Sequence, residues 1–328
     1  EFGLLHSRFP QFKRDEIEAG WMEKLGKDGA FRPKGCILVA TQIVEQSVDI
    51  DADLLVTDLA PVDLILQRVG RLHRHFRIRP AGFEQPRCVV LAASVDWNKD
   101  QEAIRAEIGP SAFVYPPFSL YQAKRVLAQL RDSSITLPQD IRPLVEGACR
   151  IEEPLPTGAA VWRDDLAKLT DTMLSTAKLS DPFHSPAEND REGTKTRWND
   201  TPTALVVLLC RPPSAAAGHL EFFNGESVPV YHGPFSYPLA LALHRNAVRV
   251  PRYLVRHAME NQPSWLGNHI RDAVLAVVPA DGTACELVGV DDSPPYLLDY
   301  RHDLGLTHTR NTAVSPISSL DPSDDSWF

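Results

Sequence analysis

The stretch VATQIVEQSVDIDADLLVTDLAPVDLILQRVGRLHRH, Val39 to His75, carries the pattern of an α/β fold. The apolar runs Cys36 to Ala40 and Leu54 to Val56 are too short for helices and do not alternate, so they predict strands buried on both faces of a parallel sheet. Between them Gln46 to Asp49 makes a polar turn, and beyond them Val62, Leu66 and Val69 recur at helical spacing. An apolar strand over Arg87 to Ala93 and a helix over Asp15 to Lys24 extend the order, giving an open parallel sheet flanked by helices.

Past Asp96 the pattern turns helical, with stretches at Asp100 to Ile108, Leu120 to Arg131 and Arg163 to Leu179 ended by Asp181-Pro182. Ser185 to Asn199 is charged and short of large apolar residues, which predicts a linker over 181–199. Ala204 to Leu209 reads as a buried strand opening a last unit of short strands and prolines, with a mobile tail from Ser315 to Phe328. The expected division is 1–180, 181–199 and 200–328, and 328 residues suffice for two cores.

Composition narrows the class. With 43% hydrophobic and 23% charged residues, and no apolar run near the roughly 18 residues of a membrane span, a spanning segment is excluded. The five cysteines stand singly without CxxC spacing, which points away from zinc or a disulfide framework and fits a reducing cytoplasm. A net charge of -9 argues against a generally basic surface but leaves room for a local phosphate-gripping groove. The opening EFGLLHSRF has no methionine, basic leader or apolar signal core, and reads as an internal start.

Chemistry concentrates in QRVGRLHRH, Gln67 to His75, where Arg68, Arg71 and Arg74 recur every third residue around Gly70. That spacing predicts one helical side, from which Arg71 and Arg74 reach a polyphosphate through paired charge-assisted hydrogen bonds. Arginine fingers of this kind are worth about three to five orders of magnitude in phosphoryl transfer. Gly70 would let the backbone approach closely. The same spacing also decorates solvated helix faces, an aspartate such as Asp49 also caps loops, and a strand-end Thr41 also bonds backbone. The surrounding order of motifs separates these readings.

Together with the opening LLHSRFP, the stretch resembles motifs IV, V and VI of superfamily 2 helicases. Its wording is similar to the helicase-nuclease of type I CRISPR systems, with GRLHR where other helicases of the superfamily usually have GRxGR, so that His73 replaces a glycine. The resemblance implies the C-terminal part of such a protein: part of a second RecA-like domain, a helical appendage and a smaller mixed α+β C-terminal domain that lids the DNA channel and helps dock the effector. By the same resemblance Arg71 and Arg74 are catalytic. Asp49, Gln67 and Gly70 join them at the nucleotide, and His6, Ser7, Arg8, Thr41 and Gln46 touch DNA. Arg8 is equally placed to pair with Asp15 or Glu16 on the next helix.

The implied cofactors are ATP and Mg2+ in a site shared with a first lobe, plus metal ions of a nuclease domain. The implied partners are single-stranded DNA, the CRISPR effector (Cascade) complex and the remainder of the helicase-nuclease, with no membrane. The sequence contains no GxxxxGK[ST] phosphate loop and no DExH or DExD box, so the segment alone is expected to be inactive. Two other readings stay open: a fragment of another superfamily 2 helicase, and a separate or degenerate lobe that docks a protein. In the last unit Tyr231, Phe235, Tyr237, Arg245, Arg249, Arg252 and Arg256 could stack bases, or could divide into core aromatics and a solvated arginine face.

Overall fold

The computed structural model describes residues 1–29, 32–45, 49–130, 134–179, 202–213, 218–230, 235–279, 284–290 and 294–312. The expected turn at Gln46 to Asp49 falls mostly outside these residues, as do the linker 181–199 and the tail from Ser315. The described residues form two compact units, one drawn from Glu1–Asp49 and Thr201–Asp321, the other from Ile50–Asp200.

The first unit begins with strand β1 (Phe2–Leu5), helix α1 (Gln11–Leu25) and strand β2 (Ile37–Ala40). The strands pair in parallel from Phe2↔Ile37 to Leu5↔Ala40, an arrangement that needs a crossover, and α1 supplies it. A Cβ on Gly3 would fall 2.0 Å from the Trp21 ring, so glycine is what lets α1 lie so close to β1.

The second unit repeats the motif with β3 (Leu54–Asp58), α2 (Val62–Val69) and β4 (Arg87–Leu91), again parallel, from Leu54↔Arg87 to Asp58↔Leu91. Five helices follow: α3 (Gln101–Ile108), α4 (Ser111–Val114), α5 (Pro117–Ala128), α6 (Ile141–Cys149) and α7 (Thr157–Leu179). Asp100 caps α3 by accepting from the Ala103 N–H at 2.9 Å. Val62 and Leu66 of α2 pack with Ala123 and Val126 of α5 and Leu144 of α6, while Ile104, Phe118 and Trp162 join α3, α5 and α7.

The rest of the first unit comprises β5 (Thr203–Leu209), β6 (His219–Glu221), β7 (Ser227–Pro229), α8 (Tyr237–Arg245), β8 (Ala247–Pro251), β9 (Ala273–Val277), β10 (Ala284–Leu287), β11 (Tyr296–Arg301) and β12 (Gly305–Arg310). Among the described residues six strands make one mixed sheet in the order β12-β11-β10-β9-β5-β8, in which only β5 and β9 run parallel. Val206 and Leu208 of β5 face a core with Val248, Val274 and Tyr300, and Val207 and Leu209 face Leu239 and Leu243 of α8. Both faces of β5 are covered, as its unbroken apolar run predicts.

The other apolar runs behave differently. Ile37 is 63% exposed and Val56 55%, and Val39 and Leu54 are also exposed, so the expectation of buried strands fails for β2 and β3; Val89 and Leu91 of β4 are exposed as well. These strands alternate instead between exposed and less exposed positions along their length.

Candidate nucleotide and nucleic-acid site

In open α/β sheets, ligands bind beyond the carboxyl ends of parallel strands. His6, Ser7 and Arg8 follow the end of β1 and Thr41 follows the end of β2, and the Thr41 N–H donates to the Leu5 carbonyl at 3.1 Å. The fold therefore gathers four of the five DNA-contact candidates at one strand edge, with Ser7 and Thr41 exposed; Gln46 lies outside the described residues. His6 stacks on Phe9 at 4.8 Å and its Nδ1 accepts from the Arg8 N–H at 3.1 Å. Burial, then the Arg8 charge, holds its pKa below the ordinary value, so His6 serves as a neutral acceptor rather than a cation.

Burial likewise lowers the Arg8 pKa, and the Arg8 carbonyl accepts from the Leu306 N–H at 2.9 Å. Gly305, with φ +72, permits that approach, since a Cβ there would lie 2.6 Å from the Arg8 oxygen. Asp15 and Glu16 accept from Gln11 at 2.6 Å and Lys13 at 2.9 Å. Asp49 is half-buried, with its carbonyl beside the end of α1 at Gly26.

The second unit holds Gln67, Gly70, Arg71 and Arg74. Helix α2 ends at Val69, so the three arginines do not line one helical side as their spacing predicts; only Arg68 is helical. Arg68 turns inward, donating to Thr57 Oγ1 at 2.6 Å and to the Tyr115 hydroxyl at 2.8 Å, a tie from α2 to β3 and to the residue that follows α4. Gln67 is exposed in the last helical turn. Gly70 has helical φ −62, so the backbone there does not require glycine. The chain leaves the helix because Ala52 captures it: the Ala52 N–H donates to the Arg71 carbonyl at 2.8 Å, and the His73 N–H donates to the Ala52 carbonyl at 3.0 Å. His73 takes φ +47, the left-handed conformation that suits glycine, which gives a physical reason for the glycine of GRxGR at this place. Arg74 is exposed, and its Nη1 lies 3.3 Å from the Gly70 carbonyl.

A sequence model described as the C-terminal region of the CRISPR-associated nuclease/helicase Cas3 matches residues 1–77. The Cas3 endonuclease/helicase of Thermus thermophilus is 40% identical over 293 residues, which cover 80% of this chain and 30% of that protein. The crystal structure of T. fusca Cas3 with ATP superposes with a TM-score of 0.63 at 26% identity, covering 94% of this chain and 35% of that one. The chain belongs to the C-terminal portion of the Cas3 helicase-nucleases. A structure titled as a CRISPR RNA-guided surveillance complex before nicking matches as well, with a TM-score of 0.62, 26% identity and coverage of 94% and 37%. The mixed α/β architecture is accordingly that of a Cas3 RecA-like domain plus C-terminal domain, and the chain spans about a third or less of the length of the relatives it matches.

Within this Cas3 frame, the residues that sequence reasoning missed are Asp51, Asp53, Arg77 and Arg79. Arg79 bridges both carboxylates, Nη2 to Asp51 Oδ1 at 2.9 Å and Nη1 to Asp53 Oδ1 at 2.8 Å, and Arg77 Nε lies 2.6 Å from Asp51 Oδ2. Burial alone would lower the Arg79 pKa; the bonds to Asp51 and Asp53 outweigh it and raise the value. The signal was the shared two-residue period of Asp51-Ala52-Asp53 and Arg77-Ile78-Arg79. Guanidinium, amide and main-chain N–H groups suit phosphate oxygens, so the Arg71, Arg74 and Gln67 set fits one side of a nucleotide site. Among the described residues no three His, Cys, Asp or Glu side chains converge as a metal site, and no helix is long and apolar enough to cross a membrane. In the last unit Phe235 and Tyr237 are exposed, Arg245 pairs with Glu226 at 2.9 Å and Arg249 donates to Thr203 at 3.0 Å; Tyr231 lies outside the described residues.

Proposed function

We propose that this chain supplies the second RecA-like half of an ATP-dependent single-stranded DNA translocase in a Cas3-type helicase-nuclease, acting in the cytoplasm in CRISPR interference. The domain assignment within this reading is 1–180 for the RecA-like part with its appendage, 181–199 for a linker and 200–328 for an accessory domain. The observation that carries the reading is the turn beyond α2, where Arg71 and Arg74 sit in a backbone pinned by Ala52. Bound ATP with Mg2+, held mostly by a first lobe, would supply the driving energy. Arg71 and Arg74 would meet its phosphate oxygens with charge-assisted hydrogen bonds, and Gln67, Gly70 and Asp49 would belong to the nucleotide-binding set. Ser7, Arg8, Thr41, Gln46 and the neutral ring of His6 would contact the DNA backbone without reading bases, as a motor that steps along any sequence requires. The strand would come from a Cascade-type effector, and the nuclease metal ions would belong to another domain.

In the complete helicase-nuclease, Arg71→Ala or Arg74→Ala should lower DNA-stimulated ATP turnover by about three orders of magnitude while leaving the fold intact. Retained turnover in both variants would refute the arginine assignment. The 328-residue chain alone should show no turnover until the first lobe is added in trans.

A further inference from the structure

Three consecutive residues, Asp51 to Asp53, hold nearly everything that follows Gly70. Ala52 bonds the backbone on both sides of Leu72, to the Arg71 carbonyl and the His73 N–H. Asp51 accepts from the Arg74 N–H at 2.8 Å and Asp53 from Arg79 at 2.8 Å. The Asp51 carboxylate has no exposed surface, and burying a carboxylate costs several kcal/mol unless it is paired and hydrogen-bonded. Its partners include Arg77 and Arg79, and Arg79 is itself tied to the His75 carbonyl at 2.8 Å. The two-residue period of an extended segment then turns Phe76 and Ile78 out into solvent. The nucleotide and DNA roles proposed above leave this buried cluster without a use.

We propose that Asp51 is a positioning residue for the reaction: by gathering Arg77, Arg79 and the N–H of Arg74, its carboxylate fixes the backbone from which Arg71 and Arg74 project. This rests on the reading of Arg71 and Arg74 as the nucleotide arginines. A guanidinium that must meet a phosphate within hydrogen-bond range tolerates little slack, since misplacement by about 1 Å costs on the order of a hundredfold in rate. Asp51 acts through the arginines, so its loss and theirs should not multiply.

The test uses the complete helicase-nuclease, with single-stranded DNA-stimulated ATP hydrolysis read as kcat and KM for ATP, and thermal unfolding read alongside. Asp51→Asn should lower kcat at least tenfold and move KM less than threefold. Added to Arg71→Lys, which should itself lower kcat, it should cost no more than a further threefold. A folded Asp51→Asn variant with kcat within threefold of wild type overturns the proposal, and so do losses that multiply in the pair. If Asp51→Asn does not fold, Arg77→Gln on the outer side of the clamp decides: a threefold or larger loss with the same non-additivity upholds the proposal, and an unchanged kcat overturns it. Full turnover in Arg71→Lys sinks the underlying arginine reading and this inference with it. A loss in Arg71→Lys beside full turnover in Asp51→Asn sinks the inference alone.

Discussion

The six-stranded sheet and the segment from Arg71 to Pro80 are built on opposite plans. In the sheet, Val206 to Leu209 are wholly buried and the partners are other hydrocarbon side chains. In the segment the interior is occupied by Asp51 and Arg79, while Phe76 and Ile78 face solvent. Burial of apolar surface stabilises without direction; a carboxylate gripped by two guanidinium groups and a backbone N–H adds little net stability but allows few geometries. The difference teaches that this chain uses hydrocarbon where it needs mass and polar contacts where it needs aim.

The contrast breaks most easily at Leu208. Leu208→Ala should destabilise the sheet by about 2–5 kcal/mol, whereas Phe76→Ser should shift stability by less than about 0.5 kcal/mol despite deleting a larger side chain. Hydrogen exchange on the amides of β5 and of residues 71–80 in the complete protein reads both, and equal effects would erase the distinction.

Alkali should act on the sheet next. Burial, then Asp299, pushes the Cys285 thiol up to about 12, and burial, then Cys285, pushes the Tyr300 hydroxyl up to about 12, from ordinary values of 9.0 and 10.0. The folded sheet keeps protons that the unfolded chain releases, so this contribution is fully present below pH 9 and is lost as the pH climbs toward 12. The exchange of sheet amides, corrected for intrinsic rate, should accelerate across that window; Cys285→Ala/Tyr300→Phe should flatten the dependence, and an unchanged slope in that variant counts against the assignment.

The smallest effect sharpens the comparison at His73. Because its φ is +47, His73→Gly should stay within about 1 kcal/mol of wild type, relief of strain being offset by glycine's entropy, and His73→Val should cost about 1–2 kcal/mol. Equal stability of the two variants would show that the left-handed backbone is not retained in solution.

Helix α2 was legible in its body, because Val62, Leu66 and Val69 recur at helical spacing, but its end was not. Strand β5 was legible because Ala204 to Leu209, ALVVLL, is apolar throughout. In β2 and β3 equally apolar letters hid an open face, since a short apolar run does not report what covers it. The candidate site was legible as residue types and order, and the gathering of His6, Ser7, Arg8 and Thr41 follows from parallel pairing. The geometry at Arg71 was not legible. Helical spacing suggested continuation, but a bridge to Ala52, twenty positions earlier, ends the helix. The Asp51 clamp likewise joins residues 23 to 28 positions apart, a separation at which local pattern carries no pairing information.

One more consequence follows from β3 and β4, a parallel pair two strands wide among the described residues. Such a ribbon leaves rows of backbone N–H and C=O groups open along its outer edges, a template on which a second extended chain can grow. Leu54 to Thr57 would suit that purpose, but the strand is closed off by Asp53 and Asp58, and its neighbour begins at Arg87. Charges placed at the ends of an apolar strand disfavour the stacking of identical strands.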